Sequence, residues 1–155
     1  MYNFNDFQYL QGKILEVYDD TDLTKFDVGK LISYNESWIL LEGYNKEGVF
    51  DGYILQKIEN IFKISYNTQY ILTLNLSLQD KTTEIRIETF MENIIKSKHR
   101  VSIITVNGDV LYGTIINKTD DCIFIENIDP TGISDGETIL QNDLICRYEI
   151  DAKEV

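Results

Sequence analysis

Short apolar runs divided by polar turn residues fill most of this chain, the pattern of strands with one face buried. Val101-Ser-Ile-Ile-Thr-Val106 leads through Asn107-Gly108 into Val110-Leu-Tyr-Gly113-Thr-Ile-Ile116. A polar Asn117–Asp121 precedes Cys122-Ile-Phe-Ile-Glu126, and a longer loop precedes Thr138-Ile-Leu-Gln141 and Leu144–Ile150. Asn-Gly favours the positive φ angles of a tight hairpin, and Gly113 stands where a strand can bend. The stretch predicts five strands of a small, curved antiparallel sheet.

The pattern occurs twice. Lys13–Tyr18, Phe26–Ile32, Trp38–Glu42, Tyr53–Gln56 and Ile58–Ile64 read as five earlier strands. At an offset of 84, Gly29 falls on Gly113, Trp38–Glu42 on Cys122–Glu126, and Asp51-Gly52 on Asp135-Gly136. A two-residue gap then sets Ile58…Phe62-Lys63-Ile64 on Leu144…Tyr148-Glu149-Ile150, and the first hairpin is longer in the first copy. Two copies of one five-stranded unit follow. Ahead of the first, residues 2–12 predict a short helical turn.

Between the copies, Thr68–Leu78 admits two readings. Leu72, Leu74, Leu76 and Leu78 alternate as in a strand, whereas Tyr70, Leu74 and Ser77, with Asn67 as cap, fit a helix. Helix is favoured, because the strand unit is already complete at Ile64. Thr83–Lys98 is helical at least from Glu88, since Ile87, Phe90, Met91, Ile94 and Ile95 repeat at helical spacing. Acidic residues lead it and Lys96, Lys98 and Arg100 end it, which suits the helix dipole. The expected organisation is a first unit over 1–66, a helical linker over 67–98 and a second unit over 99–155.

These motifs resemble the Sm/LSm-like family. The resemblance rests on Val101–Val106 with Asn107-Gly108, on Gly113-Thr-Ile-Ile, and on Asp120-Asp-Cys-Ile-Phe-Ile, with the helix ending at Lys98 in place of the family's N-terminal helix. Gly29, Asn35 and Trp38–Glu42 carry it more loosely in the first unit. It implies a mainly β fold: two small five-stranded, SH3-like barrels joined by the linker. The family also pairs exposed strand edges between barrels, which two fused barrels could do inside one chain. Its RNA-binding members place an Asn where this chain has Phe124 or its neighbour, and an Arg-Gly where it has Leu140-Gln141-Asn142. Without that Arg, base and phosphate lose a cationic contact.

Charge points the same way. The chain carries a formal net charge of −12 over 155 residues, and only the segment 81–100 is net basic. Such a surface repels phosphate backbones and anionic membranes and suits a basic protein partner. The 43% of hydrophobic residues supports a real core. No leader and no span of about 18 apolar residues is visible, and the two cysteines, Cys122 and Cys146, sit in apolar runs. A cytoplasmic protein with two reduced, packed thiols is expected.

Catalytic chemistry finds little footing. His99 is the sole histidine and stands at a helix end, so a Ser-His or Cys-His nucleophile pair is disfavoured. Read from Asp20 as an EF-hand loop, the chain has Lys25 where Gly belongs and Leu31 where Glu belongs. No glycine-rich phosphate loop occurs, and no cofactor is expected. The leading expectation is a non-enzymatic acidic module, inhibitor-like or immunity-type, that binds a basic partner. Its contact residues would be the loop acids Asp19, Asp20, Asp22, Asp120 and Asp121. Tyr44 and Tyr112 would join them, among tyrosines (with Tyr2, Tyr9 and Tyr53) that fit no obvious core position. The alternatives are an assembly protein that oligomerises through strand edges, and a degenerate RNA binder resting on Lys96–Arg100.

Overall fold

In the computed structural model, which describes residues 4–74 and 85–155, the alternating runs become ten strands of one antiparallel sheet. The first five are β1 (Ile14–Asp19), β2 (Asp27–Tyr34), β3 (Trp38–Tyr44), β4 (Phe50–Lys57) and β5 (Ile61–Tyr66). The second five are β6 (Arg100–Thr105), β7 (Val110–Lys118), β8 (Cys122–Ile128), β9 (Ser134–Gln141) and β10 (Ile145–Asp151). Their spatial order is β5-β1-β2-β3-β4-β10-β6-β7-β8-β9, and the sheet is open. The mainly β reading therefore holds, with the two expected units as halves of a single sheet. Among the described residues no helix is long and apolar enough to cross a membrane.

Three helices accompany the strands: α1 (Phe4–Leu10), α2 (Gln69–Thr73) and α3 (Ile87–Lys96). The ambiguous Thr68–Leu78 stretch starts as helix, but Thr68 caps it in place of Asn67, its hydroxyl accepting from the Ile71 N–H. Asn67 instead takes a positive φ of 55°. Helix α3 buries Ile87, Phe90, Met91 and Ile94, the stripe that the spacing predicts. It ends with Lys98 at φ 52° and the His99 N–H donating to Ile94 O at 3.1 Å. That is a Schellman-type stop built without glycine. Residues 75–84, with the rest of the leucine alternation and the start of the predicted long helix, lie outside the described residues, as does Tyr2.

The duplication is visible in the register. Trp38 faces Lys57 across β3 and β4, and Cys122 faces Gln141 across β8 and β9. A bulge interrupts β2–β3 between Leu31 and Ser33, and another interrupts β7–β8 between Ile115 and Asn117. Bulges at equivalent places bend both halves alike. The loops expected around Gly43–Gly52 and before Thr138 shrink to matched turns. Asn45 Oδ1 accepts from Val49 N–H and Asp129 Oδ1 from Ile133 N–H, both at 3.0 Å. The expected two-residue gap is absent. A 3₁₀ turn at Ile58–Asn60 leads into β5 and one at Asn142–Leu144 into β10, so the offset stays at 84. Tyr148 thus corresponds to Ile64, and Arg147 to Lys63.

Each half has a core. Phe7 and Leu10 of α1 pack on Leu15, Leu31, Ile39 and Leu41, while α3 packs on Val101, Ile103, Ile123 and Ile125. The second core continues into Leu40 and Leu55 of the first half. Gly113 is required where β7 passes β8, because a Cβ there would lie 2.0 Å from Glu126 O.

The halves meet where β4 pairs with β10, from Gln56–Arg147 to Gly52–Asp151. Gly52 adopts φ +124° there, and a Cβ would lie 2.0 Å from Ile150 O. Arg147 reaches from β10 into the first half, with Nη1 2.8 Å from Asp19 Oδ2 and 3.0 Å from Asp27 Oδ2. Its Nε lies 3.0 Å from Glu149 Oε1 but is not aligned for a hydrogen bond. Three carboxylates around one guanidinium leave a local excess of negative charge. Burial pushes the Asp27 carboxyl up to about 6; Arg147 opposes the rise, while Glu149 and Asp19 add to it.

That shift has a sign. Between the usual carboxylate range near pH 4 and the raised value, the folded chain holds a proton that the unfolded chain releases. The contribution of Asp27 to stability therefore falls as pH rises through this window. Asp27→Asn is expected to raise the melting temperature at about pH 7.5 and to converge with the parent near pH 4. Equal melting temperatures across that range, or a variant less stable at pH 7.5, would contradict the assignment.

Candidate partner-binding groove at the seam

The structure separates the residues expected to form one contact surface. Asp19 is only 5% exposed and serves Arg147, while also accepting from the Thr21 N–H and hydroxyl. It holds the two halves together and is not offered to a partner. Asp20 is exposed and accepts from Asn60 Nδ2 at 3.4 Å. Asp22 closes its own turn by accepting from Thr24 N–H and Oγ1, bonds that hold its carboxyl below the usual range. Tyr44 is buried and donates its hydroxyl to Glu42 Oε1 at 2.5 Å, a correction to its reading as a surface tyrosine. Its place on β3, facing Val28 of β2, puts it inside the fold. Tyr112 is exposed on β7, and Asp120 and Asp121 are exposed at the β7–β8 turn. Asp22 and Asp120 line different hollows.

What the fold does assemble is a groove beside the β4–β10 ladder. A hollow of about 510 Å³ lies between the β2–β3 turn of one half and the β7–β8 turn of the other, closed below by the two 3₁₀ turns. It shares Glu36, Ser37, Trp38, Lys118, Thr119 and Asp120 with a second hollow of about 760 Å³ that runs along α3. Together they make one groove with an apolar floor of Trp38, Tyr148, Leu55, Ile87, Met91 and Ile95.

Local sequence explains its shape. Asn35 Oδ1 accepts from the Ser37 and Trp38 N–H groups, which fixes the β2–β3 turn and aims Trp38. Asn142 Nδ2 donates to Thr119 O and Asp120 O, tying the β7–β8 turn to the base of β10. Trp38 and Tyr148 meet across the seam with ring centroids 5.6 Å apart. Lys57, nearly buried, donates to Asn142 O at 3.0 Å and lies 5.5 Å from the Trp38 ring centroid.

Charge gives the groove its character. Glu36, Glu59, Asp120 and Asp143 line the first hollow, Glu88 and Glu92 the second, and all six are exposed. Among the described residues lining the groove, Lys57 and Lys118 are the cations, and Arg86 also acts on Glu88. Asn35 Nδ2 donates to Glu88 Oε1 at 3.4 Å, and the Glu88 carboxyl is held low chiefly by its own backbone N–H. An apolar floor under a carboxylate rim accommodates a segment carrying both apolar and cationic side chains.

Of the groups weighed for catalysis, His99 is beside a carboxylate and Cys146 is buried. His99 Nδ1 lies 3.6 Å from Glu154 Oε2. Burial and the neighbouring Asp19 push the Cys146 thiol up to about 12, so it is not a thiolate at neutral pH. Cys122 is less buried than its apolar run suggests. Among the described residues no group of three or more His, Cys, Asp or Glu is placed to hold a metal ion.

Trp38, Lys57 and Tyr148 were legible only as strand residues. The signal that marks them is the difference between the copies at an offset of 84: Trp38 against Cys122, Lys57 against Gln141, Ile64 against Tyr148. The false gap had set Tyr148 against Phe62 and hidden it. No family model matches the chain, and no curated protein or solved structure matches it either.

The two neighbouring acids separate cleanly by mutation. Asp19→Ala should cost about 1.5–3 kcal/mol in denaturant unfolding, because Arg147 keeps Asp27 but loses one charge-assisted hydrogen bond, and the turn at Thr21 loses its acceptor. Asp20→Ala should change stability by no more than about 0.5 kcal/mol. Equal losses would contradict the division of roles.

Proposed function

We propose that this chain is a non-enzymatic, acidic protein-binding module of two Sm-like five-stranded units that takes a basic segment of a protein partner in the seam groove. One observation carries the reading. At the junction of the halves an apolar floor, built on Trp38 and Tyr148, is rimmed, among the described residues, by six carboxylates against two lysines. The apolar floor supplies affinity, and the rim speeds and selects the approach of a cationic partner. The matched bulges and the repeat register support two copies of one unit, and the short helix before each five-strand set is what the Sm-like resemblance expects.

Trp38 is the sole tryptophan, so intrinsic fluorescence reads the groove directly. A capped hexapeptide of alternating lysine and leucine should shift Trp38 emission saturably. The affinity should fall by tenfold or more (about) between low salt and 0.5 M salt, where screening shortens charge interactions to a few ångströms. An alternating glutamate–leucine peptide should leave the emission unchanged. Equal responses to both peptides, or none, would count against the reading.

A second reading has its own support. By the repeat, β9 corresponds to β4 and β5 to β10, and among the described residues neither β9 nor β5 carries a ladder on its outer edge. A second copy could therefore pair β9 with β5 as β4 pairs with β10, in a head-to-tail assembly. Light scattering over a range of concentrations tests it: oligomers support it, and a strict monomer at high concentration removes it.

A further inference from the structure

Tyr148 is 1% exposed as a whole residue, and among the described residues its hydroxyl makes no hydrogen bond. It stands on β10 at the centre of the seam, opposite Leu55 of β4, and contributes to the wall of the hollow beside Trp38. The hydroxyl is not one of the sealed unpaired atoms, which are Asn60 Oδ1, Asn142 Oδ1 and Arg147 Nε, so it keeps access to solvent beside the hollow that Tyr148 lines, where an acceptor on a ligand can replace water. Packing alone could be served by the isoleucine found at the equivalent position, Ile64. Burial pushes the Tyr148 phenol further above its usual range, so it stays protonated and able to donate.

The surroundings select what it donates to. The nearby Lys57 ammonium is already held by Asn142 O and lies 3.8 Å from Glu59 Oε1. The four carboxylates lining this hollow disfavour an anion at its floor. A neutral acceptor flanked by cationic groups satisfies both conditions. The Trp38 ring supplies an apolar face next to the hydroxyl, and about 510 Å³ admits side chains together with a stretch of backbone.

We infer that the Trp38–Tyr148 hollow is the anchor pocket of the groove. It takes a peptide segment whose backbone carbonyl accepts from the Tyr148 hydroxyl, with an apolar side chain on Trp38 and cationic neighbours on the rim. The inference rests on the proposed reading of the groove and specifies how its partner is held. The hydroxyl fixes the register of the segment, while the carboxylates set its charge.

Tyr148→Phe removes the hydroxyl and keeps the ring. Binding of the lysine–leucine hexapeptide is read from Trp38 emission, and thermal unfolding of each variant confirms the fold. Tyr148→Phe should weaken binding by about three- to tenfold, the effect of one lost hydrogen bond, without changing the salt dependence. The double variant Glu36→Gln, Asp120→Asn should weaken binding and flatten the salt dependence while leaving the effect of Tyr148→Phe intact. Salt-dependent binding that is indifferent to Tyr148→Phe overturns the anchor and leaves the groove reading standing. Absence of peptide binding overturns both. A Trp38 response to oligouridylate that Tyr148→Phe abolishes, with no response to the peptide, assigns the pocket to nucleic acid and overturns the proposal.

Discussion

The pairing of β4 with β10 is the constraint on which the rest of this structure depends. Five backbone pairs join an edge of the first unit to an edge of the second and make one sheet of two halves. An exposed edge is a liability in a small β unit, and here each unit covers one edge of the other. The groove exists only because of this junction, since the turns that wall it come from different halves. Around the ladder the chain adds side chains that a generic edge contact would lack: Arg147 on Asp19 and Asp27, Trp38 on Tyr148, Lys57 on Asn142 O. These fix the relative placement of the halves, at the cost of burying charge in the Arg147 cluster.

The internal repeat, with its differences at the seam, connects sequence to fold here. From β2 and β7 onward both halves keep the same β2–β3 and β7–β8 bulges and the same 3₁₀ links at one offset, which preserves the curvature, while the β1–β2 connection is longer than its counterpart. Some of the differences fall where the halves touch. The second unit carries Arg147 and Tyr148 where the first carries Lys63 and Ile64, and the first carries Trp38 where the second carries Cys122. The mated edges have thereby become chemically distinct from the outer edges β5 and β9. Arg147 contributes one guanidinium nitrogen shared by two carboxylates of the first half, and Trp38 contributes bulk against Tyr148.

How much of this the sequence discloses depends on the range of the interaction. Strand alternation, the α3 stripe and the two-fold repeat are periodic signals, and they were legible. The repeat read with a two-residue gap was wrong because apolar residues alternate on both sides of the 3₁₀ turns, so a slip of two keeps the pattern in phase. The acidic turns looked alike as sequence. Asp19 is nevertheless buried under Arg147, 128 residues away in the chain, a contact that no local pattern announces. Tyr44 misled in another way: its partner Glu42 is close in sequence, but its burial comes from the sheet around it. The groove draws on residues from Asn35 to Tyr148, brought together by topology alone.

The account turns on the seam groove, as opposed to the acidic β1–β2 loop, receiving a basic segment. Amide chemical-shift mapping of the isotopically labelled chain with the lysine–leucine hexapeptide decides between them. The account predicts shifts at Glu36–Trp38, Thr119–Asp121, Asn142–Asp143 and the Glu88–Glu92 face of α3. Shifts centred on Asp20–Asp22, with the seam turns unmoved, would contradict it.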